Sequence, residues 1–171
     1  MPTSFQFIKS VKTNNSVTSV DMTDVFTTKY DMYLLTFSEL DINGAGAENI
    51  DLRLLDSSGS AITASEYDYA SLQLRYGSSF TQDRATGQAQ FLMGAGYVDA
   101  TSVGAGSVVA YFYSPASASY TFFQHQQVNT SSHSGQKYIG VHKSAEVITG
   151  IQIRVDSGTI DRFGASMYGV L

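Results

Sequence analysis

Ile151-Gln152-Ile153-Arg154-Val155-Asp156 alternates apolar and polar side chains without a fault. Successive side chains of a strand point to opposite faces, so this stretch reads as a half-buried β-strand with Ile151, Ile153 and Val155 turned to a core. Leu52-Arg53-Leu54 and Leu72-Gln73-Leu74-Arg75 repeat the alternation, and Phe5 and Phe7 alternate with Ser4 and Gln6. Residues 30–37, 108–113 and 120–123 are apolar on both faces and rich in β-branched and aromatic residues. Such runs read as strands lying between two layers or against a neighbouring subunit.

Turn chemistry breaks up these runs. Asp41-Ile42-Asn43-Gly44, Ser57-Ser58-Gly59, Arg75-Tyr76-Gly77, Asp156-Ser157-Gly158 and residues 131–135 are turn-prone. Residues 56–60 and 156–159 read as hairpin loops. Strands are expected near 4–8, 17–27, 31–38, 50–55, 66–75, 88–93, 107–113, 119–124, 137–142, 147–155 and 163–170. No stretch keeps a helical period for three turns; residues 61–69 come nearest, with a single turn. Many short strands with regular turns imply an all-β fold, a jelly-roll-type antiparallel β-sandwich. An immunoglobulin-type domain is disfavoured, because the chain contains neither Trp nor Cys.

The length of 171 residues fits a single domain spanning 1–171, with about 1–25 as an N-terminal arm or docking strand. The absence of Cys excludes disulfides, thiolate metal sites and a Cys nucleophile. Stability must then come from packing and subunit contacts. No apolar run has the length of a membrane span, and the N-terminus lacks a signal-peptide pattern, so a soluble chain without membrane insertion is expected. The ten Lys and Arg residues are scattered and the net charge is −5. Nucleic acid is therefore a poor partner, since binding it needs grouped cations.

The motifs of catalysis and cofactor binding are missing. His125, His133 and His142 show no zinc-ligand spacing. There is no G-x-S-x-G elbow. Glu66 and Asp68 share one face of an expected strand, and Asp21 and Asp24 lie in a polar loop; both pairs read as solvated carboxylates rather than a glycosidase dyad. The loop beginning at Asp41 has Ala45 and Leu52 where a calcium loop needs ligands. Gly94-x-Gly96 lacks the third glycine of a dinucleotide fingerprint. No catalytic residue, no cofactor and no metal is expected. Tyr67, Tyr69, Tyr76, Tyr97, Tyr111, Tyr113 and Tyr138 are the surface candidates, since tyrosine is enriched at interfaces. Among them Tyr97, Tyr111 and Tyr113 are the interface candidates.

Residues 30–37 (YDMYLLTF), followed by Leu52-Arg53-Leu54, Ser57-Ser58-Gly59-Ser60 and Tyr67-Asp68-Tyr69-Ala70, resemble a module of tailed-phage virion proteins. The likeness continues through 151–155, Gly158-Thr159-Ile160 and Ala165-Ser166-Met167-Tyr168-Gly169-Val170, and so covers about 26–171. It implies a jelly-roll-like sandwich displayed on the virion, in capsid decoration, fibre or baseplate proteins, assembled as homotrimers or larger rings. It carries no catalytic residue. Two functions stay open: an architectural piece contacting itself and capsid or tail subunits, and a receptor-binding module for a host-surface glycan. An enzyme is a distant third. A concave aromatic-and-amide pocket would favour the glycan reading; a broad apolar patch covered by a partner would favour the architectural one.

Overall fold

Ile151, Ile153 and Val155 are all buried, as their alternation requires, while Gln152 and Arg154 between them are partly exposed. In the computed structural model, which describes residues 5–43, 48–75, 80–96, 107–129 and 134–171, Leu52 and Leu54 are buried likewise, whereas Phe5, Phe7, Leu72 and Leu74 of the other alternating stretches are exposed. Twelve strands are present among the described residues: β1 (Phe5–Thr13), β2 (Ser19–Met22), β3 (Met32–Asn43), β4 (Glu48–Leu55), β5 (Tyr67–Arg75) and β6 (Thr81–Gln88), then β7 (Phe91–Gly96), β8 (Ser107–Tyr113), β9 (Ser119–Asn129), β10 (Ser134–Glu146), β11 (Gly150–Val155) and β12 (Thr159–Val170). Every pairing is antiparallel. The protein is an all-β, two-sheet sandwich. Its sheets are unequal: eight strands in the order β1-β12-β3-β8-β9-β10-β5-β6, and four in the order β2-β11-β4-β7.

Inward residues of both sheets form one core. Tyr33, Leu35 and Phe37 come from β3, Val108, Ala110 and Phe112 from β8, and Ile50, Leu52 and Leu54 face them from β4. Phe91 stacks on Phe123 with centroids 4.9 Å apart, and Phe112 meets Phe123 at the same separation. Burying such rings supplies most of the apolar area of a sandwich core.

The structure revises several local expectations. Residues 17–27 contribute only the short β2, and 147–155 only β11. The strand β6 was not expected at all, because Thr81-Gln82-Asp83-Arg84-Ala85-Thr86-Gly87-Gln88 has no apolar alternation and is exposed along nearly its whole length. It is an edge strand held by its ladder to β5, which a polar sequence can satisfy. The single helical turn considered near 61–69 does not form; Tyr67 already opens β5. Asp41, Ile42 and Asn43 extend β3 instead of opening a turn, and 44–47 lie outside the described residues.

The loop at 56–60 is a closed turn: Asp56 Oδ1 accepts from the amides of Ser58 (2.8 Å) and Ser60 (3.0 Å). At 156–159, Gly158 adopts φ +73°, which side-chain-bearing residues rarely take. That turn joins strands of different sheets, since β11 pairs with β2 and β4 whereas β12 pairs with β1 and β3. It is a corner between layers rather than a hairpin.

A candidate interaction face

The four-stranded sheet covers one side of the eight-stranded sheet. The other side points away from the core, yet it is not polar. The ladder registers set its side chains in transverse rows. One row runs Phe7, Tyr168, Leu34, Tyr111, Gln124, Ile139 and Ala70 across seven strands. The next runs Phe5, Val170, Met32, Tyr113, Phe122 and Val141. Phe7, Phe122 and Ile139 are 57%, 52% and 62% exposed, and Val109 is 40% exposed. Val109 and Phe122 are outward residues of the runs that the sequence showed to be apolar on both faces.

The face is dished. A trough of about 710 Å³ lies beside Tyr113, Phe122, Ile139 and Val141 and is walled by Arg84 and Thr86 of β6. A second, of about 640 Å³, lies beside Tyr111, Gln124, Gln126 and Lys137. Both share Gln124 and Ile139. At the margin Lys143 Nζ pairs with Asp68 at 2.9 Å, and Lys137 is the one charged side chain lining the second trough.

Of the interface candidates, Tyr111 and Tyr113 stand on this face, in adjacent rows. Tyr97 and Tyr76 lie outside the described residues. Tyr67 and Tyr138 are core residues, not surface ones. The Tyr67 hydroxyl is buried as it accepts from the Leu54 amide (3.2 Å) and donates to the Ile62 carbonyl (3.1 Å). That satisfied polar tip is why an amphipathic residue can sit inside. Signals for the face were present in the doubly apolar runs; which tyrosines reach it is a matter of strand parity, which spacing to a turn does not fix.

His125 and His142 do not meet. His125 is buried on β9, stacked on Tyr138 at 4.7 Å, and burial pushes its pKa down to about 3. His133 lies outside the described residues. His142, fully buried on β10, has Nε2 3.3 Å from Glu66 Oε2 and 3.7 Å from Glu146 Oε1. Glu66 and Asp68, which the sequence put on one strand face, part company: Glu66 precedes β5 and turns to His142, while Asp68 pairs with Lys143. Asp21 accepts from Gln152 Nε2 at 3.0 Å.

One further ionic group, missed in the sequence, sits on β4. Ile50, Leu52 and Leu54 turn inward there, which aims Asp51 at the opposite face. Asp51 is nevertheless 1% exposed, because Gln90 (2.6 Å) and Arg154 (3.2 Å) close over it. Burial raises its pKa to about 6, against the attraction of Arg154.

In comparison with known proteins, no protein-family model matches the chain and no curated protein matches it.

Proposed function

We propose that this domain is a non-enzymatic structural protein of the exterior of a tailed-phage virion, a capsid decoration or cement piece that works as a homotrimer through the outer face of its large sheet. The observation that carries the reading is the apolar dish around Phe122 and Ile139. Isolated exposed apolar residues are ordinary, but rows of them spanning a whole sheet mark an interaction surface. A second copy of the chain suits the surface best, because its centre is mostly apolar and amide-bearing, with Lys137 as its one charge, and charge-poor centres rich in aromatics are typical of subunit interfaces. Placement on a virion rests on the sequence resemblance over 26–171.

Ultracentrifugation tests the assembly. The parent chain sediments as a trimer, and Phe122→Lys with Ile139→Lys sediments as a folded monomer. A parent that stays monomeric at all concentrations, together with particle images in which no two copies touch, overturns the reading.

A receptor-binding function is the second reading, favoured by the trough that sets Tyr111 beside Gln124 and Gln126. A ring face and two amides are the groups that hold a sugar. Binding to a glycan array that is lost on Tyr111→Ala, in a chain that still assembles, would select it.

A further inference from the structure

We propose that Glu66, His142 and Glu146 form a binding site for a divalent transition-metal cation, with zinc the best-fitting occupant. Two of the donors, His142 and Glu146, come from β10, and Glu66 comes from the segment before β5. His142 lies opposite Tyr67 in the β10–β5 ladder, which puts Glu66, the next residue back, beside it. The amide of Lys143 donates to the Glu66 carbonyl at 2.9 Å and fixes that segment. On a regular strand Glu146 would stand about 13 Å further along from His142. A register shift between His142 and Glu146 bends β10 and returns the carboxylate to the imidazole.

The distances suit a metal. Two ligand atoms at about 2.0–2.1 Å from a tetrahedral zinc stand about 3.3–3.4 Å from each other. Nε2 is 3.3 Å and 3.7 Å from the two carboxylates, and all three donors lie within 4.8 Å of one another. At these positions His142 makes no hydrogen bond through either nitrogen, although its side chain is fully buried. An unpaired polar atom in such a place needs an explanation. Among the described residues, neither Glu66 nor Glu146 has a Lys or Arg within ion-pair distance, and Lys143 is taken by Asp68. Two carboxylates thus converge on one imidazole without a counter-charge, and a dication neutralises both.

The Glu66 and Glu146 side chains are 38% and 34% exposed, so one side of the cluster is open to water as a fourth ligand. One nitrogen with two carboxylates suits zinc better than calcium or magnesium, which take six or more oxygens. The expectation of no metal rested on histidine spacing, the absence of Cys and a calcium loop lacking its ligands, and none of these can show ligands that converge through a bent strand and a second segment.

Calorimetric titration of the full, metal-stripped chain with zinc tests the proposal. Expected are one zinc per chain, at least tenfold weaker binding in Glu66→Gln and in Glu146→Gln, and a melting temperature raised by zinc in the parent but not in the double variant. Both glutamates are partly exposed, so these variants fold, which circular dichroism checks. Cobalt in place of zinc gives the intense visible bands of a four-coordinate site, absent in the double variant. Millimolar calcium leaves the melt unmoved. No zinc binding by the parent, or equal binding by parent and double variant, overturns the site.

Discussion

Asp51 and His125 titrate in opposite senses over the same range of pH. Asp51 has its pKa raised by burial from 3.8 to about 6. The folded state holds its proton longer than the unfolded one does. Its contribution to stability is therefore fully present below pH 3.8 and is lost as pH rises through about 6. His125 has its pKa lowered by burial from 6.5 to about 3. Its contribution is present above pH 6.5 and is lost as pH falls toward about 3. Between pH 6 and pH 4 the two nearly cancel, so single variants are needed to expose them. Asp51→Asn should gain about 2 kcal/mol on the parent between pH 3.8 and pH 7. His125→Phe should lose about 3 kcal/mol less than the parent between pH 7 and pH 4. Urea melts across that range check both; curves parallel to the parent's would refute the burial of these groups.

At the scale of a strand, β11 shows how parity and pairing divide the cost of a substitution. Ile153→Ala empties a site in the core and should cost about 2–5 kcal/mol. On alternation alone the neighbouring Arg154→Ala would be nearly neutral, about 0–1 kcal/mol, as for an exposed charge. The Arg154 guanidinium is only 26% exposed, however, and is 3.2 Å from the buried Asp51. Its loss should cost about 1–3 kcal/mol at pH 7 and less at pH 5, where Asp51 takes up a proton. Chemical melts of both variants at the two pH values separate the mechanisms. In β12, Tyr168 points outward against Phe7, with ring centroids 5.8 Å apart, while Gly169 points inward beneath the Tyr30 ring. A Cβ at 169 would run into that ring, so Gly169→Ala should cost about 1–3 kcal/mol by overpacking. A neutral result would show that Tyr30 swings aside freely.

For the whole molecule, the outer side of the eight-stranded sheet is the candidate interaction face. Eight strands at their usual spacing are about 38 Å across, and four outward positions along a strand span about 20 Å, giving on the order of 750 Å². A standard interface takes about 800 Å² from each partner, and a closed trimer would divide this face between two neighbouring copies. Because the face is mostly apolar, with Lys137 as the one charge of its second trough, the assembly should persist in 1 M salt, which would screen ionic contacts almost completely. The sedimentation run that tests the trimer also tests this. Dissociation by salt would move the contact from the apolar rows to the charged margin of Asp68, Arg84 and Lys143.

Alternation along 151–155 and 52–54, with aromatic and β-branched runs such as 30–37, was sufficient to establish the β class and to place Ile151, Ile153 and Val155 in the core. A strand's two faces are a local consequence of its backbone. Residues 108–113 carried apolar residues on both faces, and that pattern already called for a cover on the outer side. Partition into sheets was not legible, because the same alternation serves either layer; the corner at Gly158 that sends β11 and β12 to different sheets reads like any hairpin turn. The edge strand β6 was hidden because its order comes from backbone bonds to β5, which leave no mark on side-chain pattern. Asp51 carried no signal in the sequence, and His142 read as a lone histidine. Their burial and partners depend on Gln90, Arg154, Glu66 and a bend before Glu146, residues that only the tertiary structure brings together.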